Sequence, residues 1–93
     1  MSFNKDTATS AAKSDLANRL GIDPSEISVS SVGETDFPDM SLGAPTGGEM
    51  SAQMISTGWK IDLSAGGRNY EYRADKYQLR LVDFDGGNHI VRS

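Results

Sequence analysis

Two runs of alternating apolar residues meet at a pair of glycines, and this feature restricts the fold more than any other in the chain. Trp59, Ile61 and Leu63 alternate with Lys60, Asp62 and Ser64, Tyr70, Tyr72 and Ala74 alternate with Glu71 and Arg73, and Gly66-Gly67 lies between the runs. A period of two marks strands with one buried face. Two adjacent glycines supply the positive φ values that a two-residue hairpin loop needs. The resulting register sets Leu63 against Tyr70, Ile61 against Tyr72 and Trp59 against Ala74, so the large apolar groups gather on one side. A slip of one residue would turn them all to solvent, which specifies the register strongly. On the other side Lys60 meets Arg73 and Asp62 meets Glu71. These like-charge pairs each cost roughly a few tenths of a kcal/mol, offset by the diagonals Lys60–Glu71 and Asp62–Arg73. A solvated outer face is expected there.

The rest of the chain is arranged around this hairpin. Ala8, Ala11, Ala12, Leu16 and Leu20 recur at helical spacing, with Lys13, Asp15, Asn18 and Arg19 off the stripe, which predicts an amphipathic helix over 7–20. Gly21 suits the left-handed position after a helix, and Ile22 can fold back on the last turn. Asp23-Pro24-Ser25-Glu26 places a capping Asp, a Pro at the first helical position and a Glu three residues beyond the cap, the pattern of a single helical turn. Ile27, Val29 and Val32 lie in an extended Ser-rich run, and their change of parity predicts a bulge before Gly33. Tyr77, Leu79 and Leu81 continue the alternation, and Asp85-Gly86-Gly87-Asn88 offers a second reversal into Ile90-Val91. The fold class is therefore α+β, an N-terminal helix packed on a curved antiparallel sheet of four to five strands. Residues 1–93 form one domain, with 1–6 expected to be disordered.

Composition removes several functions. The 93 residues include no cysteine, which excludes a disulfide scaffold, a Cys-ligated metal site and a thiol nucleophile. Thirteen acids against nine bases leave a net charge of −4, the wrong sign for holding a nucleic-acid duplex. No apolar run reaches the length of a membrane span or a secretory signal, and Ser2 stands where myristoylation requires Gly, so a cytoplasmic protein with no membrane partner is expected.

Each fragment of catalytic or binding chemistry has a plainer explanation. Gly43 and Gly48 have the spacing of a phosphate-binding loop, but Glu49 and Met50 stand where the lysine and hydroxyl belong. Asp83, Asp85 and Asn88 gather oxygen ligands around two glycines without the spacing of a calcium loop, and a hairpin turn accounts for them. Local turn hydrogen bonds account for Asp36 and Asp39 around Pro38. His89, the single histidine, lies beside a turn, and no nucleophile elbow accompanies it. Trp59, Tyr70 and Tyr72 could stack on single-stranded nucleic acid, but their alternation with Ile61 and Leu63 assigns them to the core. Neither an enzyme, nor a cofactor, nor a metal site is expected.

From Asp36 to Glu49 the periodicity disappears, and Pro38, Gly43, Pro45, Gly47 and Gly48 oppose regular structure. Loops longer than about 12 residues are uncommon in compact domains and tend to be functional. An apolar side chain on a Pro-stiffened loop loses little entropy on docking. Phe37, Pro38, Asp39, Met40, Ser41, Leu42 and Pro45 are therefore the candidate partner-binding residues, on the expectation that the apolar ones face outward, the alternative being that they tuck under the loop and close an end of the sheet.

The sequence Phe37-Pro38-Asp39-Met40-Ser41-Leu42-Gly43-Ala44-Pro45, followed by Gln53, Gly58-Trp59-Lys60-Ile61 and Tyr70-Glu71-Tyr72, resembles a family of small uncharacterised bacterial domains. That family has an N-terminal helix, a Leu-Gly-(Ile or Val)-Asp-Pro connector and a Trp-Pro-Asp-x-Ser-Leu-Gly-Cys-Pro loop. Leu20-Gly21-Ile22-Asp23-Pro24 matches the connector. The chain departs from the pattern at Phe37 in place of Trp and at Ala44 in place of Cys, so any role of that thiol would be lost here. One helix before an antiparallel sheet is also similar to the cystatin and PepSY layout, by fold analogy alone. The expected function is a non-enzymatic protein-binding module acting through the 36–49 loop, a peptidase inhibitor being one form. The alternatives are a self-associating structural or accessory domain, through an exposed strand edge or packing on the Trp59 side, and a small-ligand carrier with a cavity between helix and sheet.

Overall fold

The computed structural model describes residues 2–92. One helix, α1 (Lys5–Leu20), and a single 3-10 turn (Pro24–Glu26) precede five strands: β1 (Ser28–Phe37), β2 (Ser56–Ala65), β3 (Arg68–Ala74), β4 (Leu79–Phe84) and β5 (Gly87–Arg92). The strands form one antiparallel meander in the order β1-β2-β3-β4-β5. No helix among the described residues is long and apolar enough to cross a membrane.

Local chemistry fixes both ends of α1. The Asn4 side chain accepts from the Thr7 amide at 2.9 Å, and the Asn4 amide donates to Thr7 Oγ1 at 2.8 Å. This reciprocal cap satisfies two of the amides that a helix start leaves without partners. At the other end Gly21 takes φ 68°, the left-handed conformation, and the Ile22 amide donates back to the Ala17 carbonyl. The helix begins earlier than the apolar stripe implies, and residues 3–6, expected outside the fold, belong to it. Phe3 is buried and its amide donates to the Lys76 carbonyl at 2.8 Å. A single aromatic anchor with one backbone bond overrides the weak local pattern of that segment.

The hairpin register is the one read from the alternation: Leu63 pairs with Tyr70, Ile61 with Tyr72 and Trp59 with Ala74. Gly66 and Gly67 both take positive φ at the turn. The β1 register shifts between Val29 and Ser31, which is the expected bulge. Ala8, Ala12 and Leu16 of α1 bury against Ile61, Leu63, Tyr72, Leu79 and Leu81. Small alanines let the helix approach the sheet closely. The Tyr72 hydroxyl, at the centre of this core, donates to Asp15 at 2.8 Å, and Asp15 also pairs with Arg19 at 2.7 Å. Burial, then the Asp15 carboxylate, push the Tyr72 phenol well above its ordinary pKa.

Two expectations about the strands are corrected. Tyr77 does not continue the alternation of β4. The Asp75 carboxylate accepts the amides of Tyr77 (2.8 Å) and Gln78 (3.0 Å), turning the chain and leaving Tyr77 70% exposed. Asp36 and Phe37 are the last residues of β1 rather than the first of the loop, paired with Thr57 and Ser56.

Candidate functional site

The connection between β1 and β2 packs over the part of the outer face that carries Arg73 and Arg80, which is therefore not the solvated surface that its charges imply, while Lys60 stays exposed. Its first turn is organised by one carboxylate. Asp39 accepts from the Ser41 amide (2.9 Å), the Ser41 hydroxyl (2.6 Å) and the Gly43 amide (3.1 Å). The bond from the Ser41 hydroxyl, followed by that from the Gly43 amide, lowers the Asp39 pKa below its ordinary value. Leu42 and Gly43 both take left-handed backbone conformations, with φ of 60° and 66°. For Leu42 this costs about 1–3 kcal/mol, and its complete burial offsets that cost. At Gly43 a Cβ would come within 2.9 Å of Arg73 Nη1, so only glycine fits without a shift.

Side chains from the sheet and from the turn between β3 and β4 hold this loop by four of its carbonyls. Gln78 Nε2 donates to the Met40 carbonyl (2.7 Å), Arg73 Nη1 to Leu42 (2.8 Å), Arg80 Nη1 to Ala44 (3.0 Å) and Asn88 Nδ2 to Pro45 (2.9 Å). Arg73 also pairs with Glu71 at 2.6 Å and lies over the Phe37 ring at 5.7 Å. Lys60, Arg73 and Arg80 share one register level across β2, β3 and β4. The mutual repulsion of the two arginines is relieved by Glu71 and by Glu49, whose carboxylate meets Arg80 through two bonds of 2.6 Å. Arg80 lowers the Glu49 pKa to about 2, with a further contribution from the Thr46 amide. The loop is thus a third layer of the protein, fixed by charge-assisted bonds.

This arrangement reverses the expected direction of the loop's apolar residues. Phe37, Ser41 and Leu42 are buried, as is Ala44, while Pro38 and Pro45 are exposed and Asp39 is half-buried. The premise that Phe37 and Leu42 face outward is corrected: Arg73 and Arg80 draw the backbone down onto the sheet, and the side chains between those anchors fill the space beneath. Ala44 lies in that sealed layer. Of Phe37, Met40 and Leu42, Met40 alone reaches the surface, 39% exposed. Its amide donates to the Ala52 carbonyl at 3.0 Å, and its sulfur accepts from the Ser56 hydroxyl at 3.1 Å.

Around Met40 the structure gathers residues that the sequence reading passed over. Met54 (63% exposed) and Ile55 (73%) precede β2, and Tyr77 projects from the β3–β4 turn. With Met40, Ser56, Thr57, Asp75 and Lys76 they line a groove of about 410 Å³. The signal for Met54 and Ile55 was available. Two adjacent large apolar residues just before an alternating strand cannot both point to one face, so at least one must be exposed or covered from outside.

The remaining candidates have structural partners. His89 Nε2 donates to the Phe84 carbonyl at 2.9 Å, with its ring edge-on to Phe84. Asn88 Oδ1 accepts from the Asp83 amide at 2.9 Å, closing the second hairpin. Thr57 Oγ1 donates to Asp36 at 2.8 Å, across β1 and β2.

No curated protein and no solved structure matches this chain. Residues 9–82 match the family described as Domain of unknown function (DUF8738), a span from α1 to β4 that contains the loop together with Arg73, Gln78 and Arg80. With well over half of its length matched, the chain belongs to that family.

Proposed function

We propose that the chain is a non-enzymatic protein-binding module that docks a short apolar segment of another protein against Met40, Met54, Ile55 and Tyr77. The observation that carries this reading is the exposure of four large apolar side chains around one groove, contributed by three separate stretches of chain. Contiguous apolar surface of this kind marks interaction sites rather than scattered exposure. Methionine adapts its shape to varied partners, and tyrosine provides a large contact with little entropy to lose. The loop supports the site from below. The Ala52 carbonyl holds the Met40 amide and Gln78 holds the Met40 carbonyl, so its side chain is presented without ordering the loop at the moment of binding. In this reading the Pro-Asp-x-Ser-Leu-Gly motif builds the platform and does not itself enter a partner's groove.

The test is affinity capture with wild-type protein beside Ile55→Asp and Tyr77→Asp, followed by calorimetry with each captured protein after purification. The reading expects a partner whose affinity falls at least about tenfold, a loss of about 1.4 kcal/mol, in both variants while their thermal stability is unchanged. An identical capture profile for all three proteins overturns it. A peptidase panel run in parallel decides whether that partner class includes peptidases.

A further inference from the structure

The two edges of the sheet are built differently. β5 is a six-residue edge whose pairing with β4 is broken twice by register shifts, and it ends in Arg92, whose guanidinium covers the Phe3 ring at 4.9 Å. Short length, irregular pairing and a terminal cation all discourage another strand from adding there. β1 is ten residues long and contains no proline, lysine or arginine, and its one irregularity lies at its start, between Val29 and Ser31. The protein's covering layers lie elsewhere: α1 packs on β2 and β4, and the loop is fixed to side chains of β3, β4 and β5. Of the ten β1 residues Phe37 alone is buried, with Val32 and Thr35 half-buried. A strand this long contributes little to its own core and presents a row of backbone donors and acceptors on its free side.

We infer that this edge pairs with the β1 edge of a second copy, antiparallel about a two-fold axis at Gly33, making one sheet continuous across both chains. The charge pattern of β1 selects that occupant. Its acids, Glu34 and Asp36, lie in the C-terminal half, and Ser28, Ser30 and Ser31 lie in the N-terminal half. With Gly33 opposite itself, Glu34 falls opposite Val32, Asp36 opposite Ser30 and Thr35 opposite Ser31. No like charges stand directly opposite one another, the two Glu34 side chains meet only on the longer diagonal of about 7–8 Å, and Thr–Ser is a favourable cross-strand pair. In-register parallel pairing would instead set each acid beside its own copy. The axis passes through a glycine whose Cβ position is free of contacts in the monomer, so the backbones meet without bulk between them. A two-fold operation perpendicular to the sheet keeps both helices on one face and both loops on the other, and the contact is self-complementary, as a closed dimer requires.

The chain's lack of cysteine makes the test direct. Opposed residues of an antiparallel pair have Cα atoms about 4.5–5.5 Å apart, within disulfide reach. Gly33→Cys should therefore oxidise to a covalent dimer much faster than Ser10→Cys, placed on the exposed side of α1. Sedimentation equilibrium of the wild type should show a reversible dimer. Gly33→Glu, which opposes two acids on the axis while facing Lys60 across β1 and β2 within each chain, should weaken that dimer about fivefold without changing the monomer's circular dichroism. Ile55→Asp and Tyr77→Asp should leave it intact, which separates this inference from the groove described above. A monomer up to the solubility limit, or a dimer indifferent to Gly33→Glu with no preferential cross-linking of Gly33→Cys, overturns the inference.

Discussion

Arg80 and Glu49 face each other guanidinium to carboxylate, with Nη1–Oε1 and Nη2–Oε2 both 2.6 Å, and this pair fastens the loop to β4. Arg80 is almost fully buried, its Nε also donating to Gln78 and its Nη1 to the Ala44 carbonyl. A guanidinium so enclosed needs every one of these acceptors, because an unpaired buried charge is among the costlier defects a fold can carry.

Glu49→Gln should therefore destabilise the protein by about 2 kcal/mol at neutral pH, less than loss of a fully buried partner because Glu49 keeps some solvent contact. Urea unfolding of variant and wild type checks this.

The same pair gives an acid limb of definite sign. Glu49 titrates at about 2 in the fold and ordinarily at 4.5. Its contribution is fully present above about 4.5 and is lost as pH falls from there toward about 2. The lowered pKa of Asp39 acts in the same direction. Wild-type stability should decline across that window, and the gap between wild type and Glu49→Gln should close along with it. A gap that stays constant from neutral pH to pH 2 would contradict the assignment.

Tyr72→Phe removes a buried hydroxyl whose partner, Asp15, retains Arg19. The carboxylate is left paired, so the loss should be close to that of a single hydrogen bond to a charged group, about 1.5–3 kcal/mol. Tyr72→Ala, which also empties the core centre, should cost at least about 3–5 kcal/mol. Equal midpoints for wild type and Tyr72→Phe would show that the bond to Asp15 contributes nothing.

Gly58 and Gly33 offer a steric contrast. A Cβ on Gly58 would lie 2.0 Å from the Ala74 carbonyl oxygen, a backbone atom that can yield only if β2 and β3 separate, while one on Gly33 meets nothing within 4 Å. Gly58→Ala should lose more than about 3 kcal/mol or fail to fold, and Gly33→Ala should change stability by less than about 0.5 kcal/mol. Thermal melts of the two variants are sufficient to check the contrast.

The parts of this fold that could be read from sequence are those in which one local signal determines the outcome. Alternation around Gly66-Gly67 specifies a register, Gly21 and Asp23-Pro24 specify helix boundaries, and the parity change at Ser30 specifies a bulge. The loop was illegible because its structure is decided at a distance. Arg73, Gln78, Arg80 and Asn88 act on backbone carbonyls more than thirty positions earlier in the chain. A carbonyl carries no residue identity, so no pattern in residues 36–49 announces these bonds. Tyr77 departs from its pattern for the opposite reason, since its place in an alternation is genuine but Asp75 turns the chain before the strand begins.

Leu42 and Ile55 give the sharpest separation between loop as core and groove as contact surface. Leu42 is fully buried beneath the loop, whereas Ile55 is 73% exposed beside Met54. Leu42→Ala should cost about 2–4 kcal/mol through the cavity it leaves and through an unoffset left-handed backbone at that position. Ile55→Ala should stay within about 0.5 kcal/mol of wild type. A Leu42 variant of unchanged stability would mean that the loop does not pack on the sheet, and Phe37 and Leu42 would again be free to meet a partner. A strongly destabilised Ile55 variant would mean that the groove belongs to the core, removing the basis for a contact surface there. The outcome expected from the burial pattern is a large loss at the first position and none at the second, with hydrogen exchange at Gly43 and Ala44 accelerated in Leu42→Ala and unaltered in Ile55→Ala.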